Sequence, residues 1–220
     1  MSKVIGIDLG TTFSAIASLD DLGNPEVLAS IEDNRKITAS AIYINGNNVT
    51  VGDKALNHIK EEPKKVVLQT KREMENDVVY SVDHGKWTDD KDLVDAYTPA
   101  QVSSLILKKL KDYTTDVKKA VITVPAMFAE KARQATLDAA KLADLEVIEL
   151  INEPTAAVLH YASLPGVEVG GRVMIFDLGG GTFDVTFAEV KNKKVDVLTS
   201  RGDKYLGGRD FDKEITKLMK

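Results

Sequence analysis

The 220-residue chain carries 29 Lys and Arg against 34 Asp and Glu, a formal net charge of −5 that argues against a nucleic-acid binder, which needs a basic face. It has no cysteine, so disulfides and cysteine-based metal or redox sites are excluded. A 43% hydrophobic, 29% charged composition suits a soluble globular protein, and Met1-Ser2-Lys3 leads into a strand without an apolar signal segment or a run of ~18 apolar residues; no membrane partner is expected and the cytoplasm is the default compartment.

In chain order, strands are expected at 4–9 and 13–19 around a glycine turn, with Glu26–Ala29 continuing the sheet. Ala41–Ile44, a polar Asn45–Asn48 loop and Val49–Val51 have the form of a hairpin. A short helix is expected over Lys54–Lys60, and a second hairpin over Val78–Val82 and Lys86–Trp87. The clearest helix spans about 99–115: Thr98 suits the N-cap, Pro99 the first helical position, and Gln101 completes a capping box. Val102, Leu105, Ile106, Leu110 and Tyr113 then fall on one face. Ala120–Val124 reads as a buried strand ended by Pro125, followed by an alanine-rich helix over 129–143, a strand over Glu146–Ile151 and a short helix opened by Pro154. Pro165-Gly166 and Gly170-Gly171 bracket a boundary. Three antiparallel strands are expected at 172–178, 183–190 and 194–200, then a helix from about Arg209.

One pattern occurs twice. Val4-Ile5-Gly6-Ile7-Asp8-Leu9-Gly10-Thr11-Thr12-Phe13-Ser14 and Val173–Asp184 are each an apolar strand ending in Asp-Leu-Gly, a glycine turn and a returning strand. Such a turn gathers backbone N–H groups at one tip, and glycine lets them approach a phosphate closely. An aspartate beside it repels phosphate directly but becomes useful once Mg²⁺ sits between. Two tips facing each other would hold a polyphosphate from both sides. Neither the Walker pattern nor G-x-G-x-x-G occurs. The second copy looks unfinished, so the chain is expected to be a fragment.

The stretches Ile5–Ser14, Val121–Pro125, Glu149–Ala157, Ile175–Val185 and Leu206–Asp212 together resemble the N-terminal ATPase domain of the seventy-kilodalton heat-shock chaperones of the DnaK type. Ile-Asn-Glu-Pro-Thr-Ala-Ala (151–157) and Phe-Asp-Leu-Gly-Gly-Gly-Thr-Phe-Asp (176–184) are the most specific pieces, and the resemblance covers essentially the whole chain. It implies an α/β, actin-like (ribonuclease H-like) fold with nucleotide in a cleft between two lobes. Residues 1–169 would form the first lobe, with a peripheral subdomain near 37–97, and 170–220 the start of an incomplete second lobe.

The resemblance also implies roles. Asp8 and Asp177 would hold Mg²⁺, mostly through water, with Asp184 ordering the metal's water shell. Gly10, Thr11, Thr12 and Phe13 would contact the nucleotide from one lobe, and Gly179, Gly180, Gly181 and Thr182 from the other. Lys71 aligns with the family's catalytic lysine, Glu153 with a glutamate that orders water, and Pro125 and Arg133 with an interdomain relay. ATP/ADP and Mg²⁺ are the implied cofactors, with K⁺ as a further candidate. The implied partners are unfolded peptides, a J-domain cochaperone and a nucleotide exchange factor.

Some positions depart from the family: Phe13 replaces a tyrosine or asparagine, Ala39 a proline and Arg209 an acidic residue, and the stretch between Arg72 and Thr98 is short. Rival readings are an actin-like assembly scaffold and a small-molecule kinase of the same fold. The fragment itself is expected to be weakly active or inactive and to self-associate through unpaired sheet edges.

Overall fold

The computed structural model describes residues 3–168, 170–191 and 194–219. The chain begins with strands β1 (Lys3–Asp8), β2 (Phe13–Leu19), β3 (Pro25–Val27), β4 (Thr38–Ala39), β5 (Ala41–Asn45) and β6 (Asn48–Val51). Helix α1 (Asp53–Leu56), strands β7 (Val66–Leu68), β8 (Val79–Ser81), β9 (Lys86–Thr88) and β10 (Ala96–Tyr97), and helix α2 (Pro99–Lys111) follow. Then come β11 (Val117–Val124), α3 (Glu130–Leu142), β12 (Glu146–Asn152), α4 (Glu153–Ser163), β13 (Gly171–Leu178), β14 (Phe183–Lys191), β15 (Lys194–Asp203) and α5 (Gly208–Leu218). Contacts divide the chain into two compact units, Met1–Ile122 with Ala129–Glu149, and Thr123–Phe128 with Leu150–Lys220. The lobe boundary expected at residue 169 falls outside the described residues.

The main sheet has the order β12-β11-β1-β2-β3, with β4 added to β2. β1 runs parallel to β11 and antiparallel to β2. Alternation places Ile5, Ile7 and Ile16 in the core, with Ile5 and Ile7 opposite the buried Ala120 and Ile122 of β11. Helices α2 and α3 pack together. The buried residues of α2 include Val102, Ile106, Leu107 and Leu110 and those of α3 the small Ala132, Ala139 and Ala140, which permit close approach.

The start of α2 has both bonds of the capping box: Gln101 N donates to Thr98 Oγ1 at 3.2 Å, and Thr98 N donates to Gln101 Oε1 at 2.8 Å. Its end comes at Lys111, four residues short of the expected 115. There the ladder tightens, with Tyr113 N donating to Leu110 O and Thr114 N to Lys111 O, before Asp116 turns left-handed at φ 58°. Helix α1 likewise stops at Leu56 instead of Lys60, because the next amides, His58 and Ile59, bond three residues back to Ala55 and Leu56.

Two small sheets complete the first unit, β6-β5-β7 and β10-β8-β9. The strands β4, β7 and β10 were not expected; each is two or three residues long and exists through its partner. The expected hairpin at β8 and β9 is present, with Trp87 packed edge-on against Tyr80 at 5.3 Å.

In the second unit β13, β14 and β15 form an antiparallel meander. One of its faces carries the buried Asp184, Thr186, Ala188 and Val190 of β14, whereas the other exposes Met174, Phe176, Leu178 and Phe187. Helix α5 buries none of its residues and exposes Phe211, Ile215 and Leu218. No helix among the described residues is long and apolar enough to cross a membrane.

Candidate functional site

The first Asp-Leu-Gly turn joins β1 to β2. Gly10 is required there, since a Cβ would lie 2.0 Å from the Phe13 carbonyl oxygen. The turn is braced by hydroxyls: Gly10 N donates to Ser14 Oγ at 3.1 Å, Ser40 Oγ donates to Gly10 O at 2.8 Å, and the two serine hydroxyls lie 2.9 Å apart. Ser40 N donates to Thr12 O at 2.8 Å, so the strand-β4 segment clamps the turn from the side. Thr11 is buried, while Asp8, Thr12 and Phe13 are exposed, and Ala39 pairs with Phe13 across the β2–β4 ladder. This leaves an exposed carboxylate beside a rigid turn.

Lys71 lies in a one-turn 3₁₀ helix, Thr70–Glu73, packed against α2. It is only 8% exposed, unusual for a lysine. The two residues before it are also unusual. Gln69 is left-handed at φ 58°, and Gln69 Nε2 and Thr70 Oγ1 are buried without a hydrogen-bond partner. A left-handed non-glycine residue costs about 1–2 kcal/mol and each buried orphan group about 1–3 kcal/mol. Strain of this kind collects where a ligand completes the structure.

The second Asp-Leu-Gly turn joins β13 to β14 and is closed by Gly179 N donating to Thr182 O at 2.9 Å. Its brace is backbone from the start of α5. Gly208 N donates to Gly179 O at 3.0 Å and Arg209 N to Gly180 O at 3.1 Å. Gly207 packs so tightly that a Cβ would lie 2.5 Å from Gly181 N and 2.6 Å from Gly180 C.

Beside this turn Asp177 and Asp184 are direct cross-strand partners, which puts their side chains on one face of the sheet. Asp184 is 3% exposed, so it is not the solvated strand residue that its local sequence would also allow. Gly202 stands opposite Asp184 on β15, where a Cβ would come 2.5 Å from Asp184 Oδ1. Like charges directly opposite on a ladder repel, and a cation near both carboxylates relieves that repulsion.

Glu153 opens α4 as its first residue, half-buried and favourably placed on the helix dipole, with the buried Pro154 next. Pro125 is buried and its carbonyl accepts from Phe128 N at 3.0 Å. Arg133 is half-buried in the first turn of α3, where its N–H donates to Ala129 O at 3.1 Å.

The Hsp70 protein family profile matches residues 4–220. The chain belongs to the Hsp70 family. It is also 38% identical over 224 residues to the Chaperone protein DnaK of Thermotoga petrophila, covering 98% of this chain and 35% of that protein. The chain therefore spans about a third of the length of that curated relative. Its mixed α/β architecture is that of the actin-like ATPases to which Hsp70 proteins belong.

Set in an Hsp70 chain, each unit has features that fit part of a magnesium nucleotide: in the first, the orphaned polar atoms flanking Lys71 and a Gly10 with no room for a Cβ; in the second, the carboxylate pair Asp177–Asp184 beside a glycine turn against which Gly207 packs without room for a Cβ. Among the described residues no three His, Asp or Glu form a metal cage. Sequence reading assigned no role to four contributors. Ser14 closes the Ile5–Ser14 motif but nothing there marks it as a brace, Ser40 carries no motif signal, and Gln69 and Thr70 look like ordinary polar residues. Gly207 was visible within the Leu206–Asp212 motif, but its service as a brace for the glycine turn is a matter of tertiary packing.

Proposed function

We propose that this chain is the ATP-binding part of a DnaK-type molecular chaperone. In the intact protein it hydrolyses ATP to ADP and phosphate and couples that turnover to the binding and release of unfolded peptide in the cytoplasm. Residues 1–169 are assigned to lobe I, with the peripheral subdomain near 37–97, and 170–220 to the start of lobe II. A J-domain cochaperone and a nucleotide exchange factor are the proposed protein partners, and neither nucleic acid nor membrane has a part. The observation that carries this reading is the pair of Asp-Leu-Gly turns, the first holding Gly10, where no Cβ fits, and the second packed against Gly207 at the start of α5, where none fits either.

Gly10, Thr11, Thr12 and Phe13, and Gly179, Gly180, Gly181 and Thr182, contact phosphate with backbone N–H groups and threonine hydroxyls. Asp8 and Asp177 hold Mg²⁺ with Asp184 behind them; when bound, the ion offsets charge on the phosphate oxygens, and K⁺ is a further candidate. Lys71 offsets charge developing on the transferred phosphoryl group, the largest contribution in such sites. Asp8, Glu153 and Thr182 orient the water that attacks in line. Pro125 and Arg133 relay the nucleotide state. Family membership favours this reading over the assembly scaffold and the small-molecule kinase.

Calorimetric titration with Mg-ATP tests it. We expect binding to the wild-type chain that falls on the order of tenfold or more in Asp8→Asn and Asp177→Asn, each removing one charge-assisted interaction. Equal binding in all three proteins would overturn the assignment of the two tips. In the intact protein, Lys71→Ala should abolish turnover yet retain nucleotide; unchanged turnover would remove Lys71 from the mechanism.

A further inference from the structure

Arg209 is the second residue of α5, and its own backbone N–H donates to the carbonyl of Gly180, inside the glycine turn assigned to phosphate. The preceding residues tie the segment down. Gly208 N donates to Gly179 O, and Gly207 lies against the Gly180–Gly181 peptide at distances that exclude a Cβ. Arg209 is thus fixed beside the turn by contacts that involve no part of its side chain.

The side chain is exposed, and its guanidinium makes no ion pair among the described residues. Its location is electrostatically unfavourable, because the first turn of a helix carries partial positive charge and selects carboxylates. The neighbouring Asp210 shows the ordinary choice, and its Oδ1 lies 3.4 Å from Lys213 Nζ, one turn on. An arginine kept at this position gains if an anion comes to the turn, and a guanidinium presents five donors in a fork that matches phosphate oxygens.

Resting on the ATP reading above, we infer that Arg209 is a further phosphate-contacting residue of the second glycine turn. It lends its guanidinium to the terminal phosphates of a bound nucleoside triphosphate. Because the brace uses only the backbone N–H of Arg209, side-chain replacements change the charge and leave the brace in place.

The test is calorimetry of the 220-residue chain with Mg-ATP, Mg-ADP and inorganic tripolyphosphate, using wild type, Arg209→Ala, Arg209→Lys and Arg209→Glu. Loss of one charge-assisted phosphate contact predicts on the order of tenfold weaker ATP binding in Arg209→Ala. A larger loss is expected in Arg209→Glu, a partial recovery in Arg209→Lys, and a smaller effect with ADP than with ATP. The gap between wild type and Arg209→Ala should narrow as salt is raised. Alanine and glutamate variants binding ATP within about twofold of wild type would overturn the role of Arg209 alone, with the ATP reading intact. Equal losses for ADP and ATP without recovery by lysine would mark a structural role and overturn it too. Failure of the wild-type chain to bind ATP or tripolyphosphate would overturn the ATP reading and this inference together.

Discussion

The two Asp-Leu-Gly turns share a sequence pattern and differ in what supports them. The first is braced by side chains: Ser14 and Ser40 hydroxyls fix Gly10 from both its N–H and its carbonyl side. It stands on strands whose inner residues, Ile5, Ile7 and Ile16, are each 1% exposed. The second is braced by backbone from the start of α5, and its sheet leaves Met174 60% and Phe176 64% exposed on the outer face. A repeated motif therefore specifies the turn but not the means of holding it rigid. That means is written elsewhere in the chain, at Ser40 for one copy and at Gly207–Arg209 for the other.

The largest effects should come from the glycines. Gly10→Ala and Gly207→Ala each force a methyl group into backbone, at 2.0 and 2.5 Å, and should cost about 3 kcal/mol or more in urea unfolding. Gly6→Ala is the control: nothing lies within 4 Å of a Cβ there, so a change within about 1 kcal/mol is expected. Hydrogen exchange would sharpen the contrast. Gly207→Ala should expose amides of β13–β15 and α5 while β1 and β2 stay protected, and uniform loss of protection would contradict separate support of the two turns.

Next in size, Ile7→Ala should cost about 3 kcal/mol, whereas Met174→Ala, exposed on the open face, should cost under about 1 kcal/mol. A large penalty at Met174 would show that this face is covered in solution. Ser40→Ala removes the hydroxyl shared by Gly10 O and Ser14 Oγ and should cost about 1–2 kcal/mol. The bonds from Gly208 N and Arg209 N to the second turn are backbone bonds, which a side-chain substitution does not remove.

The smallest effect concerns charge on the first unit. Hydrogen bonds from Lys109 and Lys54 hold the Glu32 carboxyl down at about 2. A carboxylate depressed in the folded state stabilises above its unfolded value and loses that contribution as pH falls through the folded one. The contribution should therefore fade from about pH 4.5 toward 2, and it should be slight because the pair is solvated. Lys109→Met should raise the Glu32 midpoint in a carbon-13 titration; an unmoved midpoint would remove Lys109 as the cause.

Much of this was legible because it is local. The capping box at Thr98 and Gln101 needs only residues three apart, and the meander of β13–β15 follows from alternation and short turns. What was not legible depends on distant partners. β7 is three residues that pair with β5, and nothing in Val66–Leu68 alone distinguishes it from loop. The ends of α1 and α2 were overrun because helical propensity continues past the point where the ladder tightens. At the candidate site the aspartates and glycines were visible as motif. The burial of Lys71 and Asp184 was not, since burial belongs to the packed molecule.

The bonds from α5 to the glycine turn have a mechanical consequence. With Gly208 N on Gly179 O and Arg209 N on Gly180 O, the turn and the helix are geared like a pivot and its pointer. Helix α5 has 11 residues and so extends about 16 Å from that pivot, at 1.5 Å per residue. A rotation of about 5° at the turn, too small to break either bond, sweeps the far end near Leu218 through about 1.4 Å by the same geometry. Any rotation of the turn would therefore reach the exposed Phe211, Ile215 and Leu218 of α5 enlarged in proportion to helix length.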